Sequence, residues 1–162
     1  MRNVKKWDDD FSTGIGLIDN QHKIIFDLLG DLGKASAAKA DKKVVDTLFD
    51  VLENYVFRHF EAEEELIASH GDAPSHSLEH YHLIKEFHKF RLGFRNGTSC
   101  GKTVDEFLEA WFVRHINEHD KPQFTQIANG KLLEEAGPVD AYPLPSNERR
   151  RHNLGLRVVE HA

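Results

Sequence analysis

Apolar residues recur along this chain at steps of three and four in four separate stretches, the period of a helix that buries one face. In the first, Ile18, His22, Ile25, Leu29 and Leu32 form one stripe. This predicts a helix from about Ile18 and Asp19 to Ala38, weakened in its second half by Gly30 and Gly33. The second opens on Asp41 as N-cap and ends by His70 and Gly71. Leu48, Leu52, Tyr55, His59, Glu63 and Leu66 are expected on its inward face, with Glu61, Glu64 and Glu65 outside. The third, entered through Asp72 and Pro74, carries His76, His80, Leu83, Phe87, Phe90 and Phe94 in unbroken steps of four and three. Asn96 to Gly101 reads as a polar turn, and Thr103 with Glu106 as a capping box. Val104, Leu108, Trp111 and His115 then form the inward face of a fourth helix. Short connections between helices of this length predict an all-α, up-down-up-down four-helix bundle preceded by an N-terminal arm.

Beyond about Gly130 the pattern stops. Pro138, Pro143 and Pro145 oppose a long helix, and the polar stretch from Asn147 to His152 contains three consecutive arginines. Residues 1–130 are therefore expected to form the bundle and 131–162 an irregular C-terminal extension, with room for a short helix or strand between Leu154 and Val159.

Composition narrows the function class. The 162 residues are 40% hydrophobic, enough for one core, and the net charge of −6 leaves no basic stripe for nucleic acid or an anionic membrane. Cys100 is the single cysteine, so no internal disulfide is expected. Met1 to Trp7 lacks the apolar run of a signal peptide, and no stretch approaches the roughly 20 apolar residues of a membrane span. The expected location is cytoplasmic.

The chemistry lies in polar residues set on apolar faces. His22 falls in the first helix, His59 and Glu63 in the second, His76 and His80 in the third, and His115 and Asp120 in the fourth. The intervals of four place two side chains one turn apart on one face, where both reach one ion. Five imidazoles and two carboxylates buried without partners would cost several kcal/mol each, and a pair of metal ions removes that cost. The remaining histidines, His70, His82, His88, His119, His152 and His161, are expected at the surface.

The same residues carry a family resemblance. Trp7, Phe11, Ser12, Thr13, Gly14, Ile15, Ile18, Asp19, Gln21 and His22 resemble the opening motif of the hemerythrins. His59-Phe60 followed by Glu63-Glu64, the pair His76 and His80, and Trp111, His115, Ile116 and Asp120 resemble their later motifs. The likeness runs from Trp7 to about Ile127 and is to the single-domain bacterial members. It implies a non-heme di-iron centre in which His76, His80 and His115 hold one iron and His22 and His59 the other. Glu63 and Asp120 would bridge them together with an oxo or hydroxo group. The second iron would keep one open position for dioxygen, giving a reversible oxygen carrier, store or sensor and not an enzyme. Tyr55, Phe60, Phe87, Trp111 and Ile116 are expected to screen the bound gas from water.

One spacing conflicts with a regular helix. Five residues separate His115 from Asp120, about 140° of rotation, so His119 is better placed on geometry alone. The resemblance favours Asp120 and requires a local widening of the helix, which Pro122 eases because it cannot bond to the carbonyl of Glu118. Two rival patterns are weaker. His76 to His80 and His115 to His119 both match H-x-x-E-H, a zinc-peptidase signature, but a compact bundle offers no peptide cleft. A di-iron redox enzyme with ferroxidase, peroxidase or nitric oxide chemistry is the alternative on the same fold. Carboxylate-rich sites of that kind use paired Glu-x-x-His motifs, and here only Glu79 with His82 fits, off the main seam.

Overall fold

A computed structural model of the chain describes residues 6–71, 74–98, 103, 106–107 and 109–130. The expectations for the extension, for Asp72, and for Val104 and Leu108 lie outside the described residues. Those described form an all-α bundle with no strand. After a short 3-10 turn at Asp9–Phe11 come α1 (Gly16–Ala37), α2 (Lys42–Ala68) and α3 (Pro74–Arg95). A fourth helix, α4, is assembled from two π-helical segments, Glu109–Val113 and Ile116–Asp120, followed by an α-helical one, Lys121–Asn129.

α1 begins earlier than its apolar stripe implies, because Asp19 is used to hold the arm. Its carboxylate accepts bonds from Ser12 Oγ (2.6 Å), Thr13 N–H (2.8 Å) and Thr13 Oγ1 (2.8 Å). This ties the arm down so that Phe11 stacks on Phe26, with centroids 5.3 Å apart. At its other end α1 closes with Lys39 at φ 52°, and Ala40 N–H bonds to the Ala35 carbonyl at 2.9 Å. α2 starts where Asp41 predicts, its carboxylate accepting from Lys43 N–H at 2.8 Å. The capping box is present: Thr103 N–H donates to Glu106 Oε2 (2.9 Å), and Glu106 N–H to Thr103 Oγ1 (3.2 Å).

The inward face of α2 differs from expectation. Val45, Phe49, Leu52, Val56, His59, Phe60, Glu63 and Ile67 are the buried residues, whereas Leu48, Tyr55 and Leu66 are only half-buried at its flanks. Both sets follow helical spacing, and the chain of contacts with α1 and α3 selects the one that carries Phe49 and Phe60. Tyr55 therefore does not line the polar core. On α3 the expected stripe is buried from His76 to Phe90, with Phe94 half-buried against Phe49.

Alternating chain direction sets the position of the site. His22 lies near the start of α1, His59 and Glu63 late in α2, His76 and His80 at the start of α3, and His115 and Asp120 toward the middle of α4. Short connections run the helices up and down, so all four groups meet at one level. The rest of the core mixes aliphatic and aromatic side chains: Ile15, Ile18, Ile67, Phe124 and Ile127 cluster together, Phe90 stacks on Phe107 (4.0 Å) and Phe107 on Trp111 (5.3 Å), while Trp111 Nε1–H donates to the Leu83 carbonyl at 2.8 Å.

Candidate metal centre

All seven candidate ligands converge in the bundle interior. Ligand atoms of Glu63, His76, His80, His115 and Asp120 lie within 4.8 Å of one another, and those of His22, His59, Glu63 and Asp120 form a second such group. The two groups share both carboxylates. One side thus carries three histidines and the other two, and every member is buried.

The problem of the five-residue interval is resolved by the backbone. Ile116–Asp120 is π-helical, closed by a bond from Lys121 N–H to the Ile116 carbonyl five residues back. The added residue per turn brings Asp120 Oδ1 to 2.9 Å from His115 Nε2. Pro122, next in the α-helical segment, lies where a missing N–H is tolerated. His119 is left half-exposed outside the inner groups, its Nε2 3.6 Å from Glu79 Oε1.

The donor atoms face a cation better than they face one another. Nε2 of His22, His59, His76, His80 and His115, and both oxygens of Glu63 and Asp120, are buried without a hydrogen-bond partner. Yet His80 Nε2 is 3.0 Å from Glu63 Oε2, His22 Nε2 3.3 Å from Asp120 Oδ2, and His76 Nε2 3.4 Å from Asp120 Oδ1. Contacts this close without donor–acceptor alignment mean that lone pairs converge on shared points. Buried orphans of this number are costly unless a cation pairs them, so the residues fit a metal pair. Imidazole with carboxylate is the donor set that suits iron and its neighbours.

Charge in the metal-free chain supports the same reading. Burial pulls His22 and His76 down, but Asp120 and Glu63 outweigh it and raise both to about 9. His80 is raised likewise, with burial offset by Glu63 and Glu64. His59 is pushed down to about 3 by burial, which the charge of Glu63 only partly offsets. Burial and mutual repulsion push Glu63 up, and burial pushes Asp120 up, yet the surrounding histidines hold both well below the usual carboxylate range. Protons on imidazoles thus balance two buried anions, and metal binding would replace those protons.

Outer contacts fix the rings. His59 Nδ1–H donates to Gln21 Oε1 at 3.0 Å and His80 Nδ1–H to Glu64 Oε1 at 2.9 Å, which leaves each Nε2 turned inward. Phe60 stacks on His80 at 3.8 Å, and Phe112 stands edge-on to His22 at 5.4 Å. Helical periodicity assigns Glu64 to the outer face and gives Gln21 and Phe112 no role. Glu64 does lie partly exposed, but its length lets the carboxylate reach across to α3. The doubled Glu63-Glu64 is the one signal in the sequence. Phe112 is buried because the π-helical segment Glu109–Val113 turns Trp111, Phe112 and Val113 all inward.

Comparison with known proteins agrees with this geometry. The profile of the Hemerythrin HHE cation binding domain matches residues 13–127. The chain is 30% identical over 116 residues to a bacteriohemerythrin of Pseudomonas aeruginosa, covering 70% of this chain and 75% of that protein. It is 31% identical over 115 residues to a bacteriohemerythrin of Methylococcus capsulatus, covering 69% of this chain and 87% of that one. A hemerythrin-like protein of Naegleria gruberi is 31% identical over 117 residues, 70% of this chain and 86% of its own. No solved structure matches. A profile match over most of the chain, on residues that assemble a buried histidine and carboxylate cluster, shows that the chain belongs to the hemerythrin family.

Proposed function

We propose that this chain binds dioxygen reversibly at two iron ions, acting as a binding protein and not as an enzyme. The observation that carries this reading is the sharing of Glu63 and Asp120 between a group with three histidines and a group with two. In this reading His76, His80 and His115 would hold one iron and His22 and His59 the other, with Glu63 and Asp120 shared between the two groups and offsetting part of the charge. When bound, ferrous ions supply the electrons that dioxygen takes up and gives back. The side of His22 and His59 offers one protein donor fewer and would leave room there for the gas. Phe112 is edge-on to His22 and 6.2 Å from His59, and Trp7 lies 6.2 Å from His22, so that side is screened by rings.

The surroundings favour binding over turnover. Glu63 and Asp120 are fully buried, and Phe60 and Phe112 are closed off against the inner histidines, which keeps water and protons from the bound gas. Five imidazoles against two carboxylates supply little anionic charge to stabilise more oxidised iron. The relatives named bacteriohemerythrin support the same reading.

The test combines metal analysis with visible absorption. Two irons per chain are expected, with a coloured adduct that forms in air, fades on deoxygenation and returns over repeated cycles. Zinc without iron in the purified protein, or stoichiometric release of peroxide on each exposure to oxygen, would overturn the proposal.

A further inference from the structure

The seven inner residues are 0–4% exposed, so a hydrated ion has no direct approach to them. Outside them, between α3 and α4, lies a third set of donors. Ligand atoms of Glu79, His115 and His119 fall within 4.8 Å of one another. Glu79 and His119 are reachable from solvent, with side chains 24% and 36% exposed. His115 is not: it is 1% exposed, turns Nε2 to Asp120, and leaves a buried Nδ1 without a hydrogen-bond partner. The His119 ring lies along that of His115, centroids 5.3 Å apart and 23° from parallel. His115 therefore belongs to both the outer set and the inner three-histidine group, and the donors make a continuous track from the surface to the carboxylates.

We propose that Glu79, His119 and His115 form an entry site that takes a divalent transition-metal ion from solvent and passes it to the inner centre. Glu79 supplies the charge that attracts the ion, and His119 supplies an imidazole that replaces water as the ion sheds its shell. His115 then carries it inward, since its own ring is part of the destination. Moving an ion between sites that share a ligand avoids a fully dehydrated, unpaired cation in a low-dielectric core, which would cost several kcal/mol. One carboxylate and two imidazoles carry only a single negative charge, which suits transient holding, because a site that bound too tightly would compete with the centre it feeds. His119 and Glu79 are not needed for the final ligand set, so their effect falls on rate.

This rests on the metal-centre reading above, and the experiment separates the two. Metal-free full-length protein is mixed anaerobically with Co2+, and uptake is followed by the visible bands of the bound ion, with final stoichiometry measured after desalting. Two ions per wild-type chain uphold the metal centre; failure to hold two would remove that reading and the entry site with it. Given two, His119→Gln and Glu79→Gln should each slow uptake about tenfold, the scale on which loss of a supporting ligand weakens metal affinity, with final content and thermal stability unchanged. Half-exposed positions tolerate these isosteric changes, and unchanged melting excludes a folding defect. Uptake at the wild-type rate in both variants would overturn the entry site while leaving the metal centre standing.

Discussion

At the scale of single residues, the centre is defined by which atoms lack partners. Asp120 is the most informative position, because sequence geometry and family resemblance disagree there and the π-helical turn brings its carboxylate to His115. If Asp120 is shared by both irons, Asp120→Ala should strip most of the bound iron and its spectrum, measured after desalting, whereas His119→Ala should leave the final iron content intact. Full loading of Asp120→Ala would show that the shared carboxylate has been misassigned. Glu64 tests the outer contacts. Its bond to His80 Nδ1 holds that ring with Nε2 inward, so Glu64→Ala should weaken iron affinity about 10- to 100-fold without changing stoichiometry at saturating iron. An affinity within a factor of two of wild type, read by chelator competition, would reduce Glu64 to a surface residue. The seven clustered residues were legible in the sequence as candidate ligands, since polar groups on apolar stripes are costly to bury unless something pairs them. Gln21 and Phe112 were not, because nothing in a one-dimensional pattern reports a contact across two helices.

At the scale of elements, helix existence and limits followed from periodicity and caps, but helix phase did not. The burial of Val45, Phe49 and Val56 in place of Leu48 and Tyr55 rotates α2 slightly about its axis, a choice made by neighbouring helices and invisible within α2 alone. Two backbone positions, exposed Lys39 and half-buried Gly30, give opposite expectations for glycine. Lys39 holds φ 52° after α1, a conformation that costs a side chain about 1 kcal/mol, so Lys39→Gly should raise stability by roughly that amount. Gly30 lies inside α1, where a Cβ would meet nothing within 4 Å, so Gly30→Ala should add about 0.5–1 kcal/mol. Chemical denaturation checks both, and destabilisation by either would contradict the local backbone described. The π-helical turn of α4 makes a further prediction. Asn117 is exposed, and removing it would put the aspartate four positions after His115, about 40° away on a regular helix. The deletion should therefore keep iron bound, while insertion of a residue at the same place should abolish binding.

At the scale of the whole molecule, the up-down-up-down order was readable because connections too short to cross the bundle leave no other path. What the order produces is a bundle whose candidate ligands meet at one level between two apolar packings: Ile15, Ile18, Ile67, Phe124 and Ile127 on one side, and on the other Phe49, Phe90, Phe94 and Phe107, with Phe49 and Phe94 5.5 Å apart. The apolar packings are held by burial, which needs no metal. The level of the candidate ligands contains buried carboxylates whose oxygens, and imidazoles whose Nε2 atoms, find no hydrogen-bond partner among the described residues, and its stability is expected to be linked to metal through mass action. Removing iron should consequently lower the melting temperature without unfolding the chain at room temperature. Amide exchange should locate the loss: protection should fall around His22, from His59 to Glu63, from His76 to His80 and from His115 to Asp120. It should persist from Phe49 to Val56 and from Phe87 to Phe90, because those turns keep every contact they had. Hydrogen–deuterium exchange with and without a chelator reads both regions in one experiment. A uniform loss along all four helices would mean that metal holds the bundle as a single cooperative unit, and the division into a metal-dependent level and apolar packings would have to be abandoned.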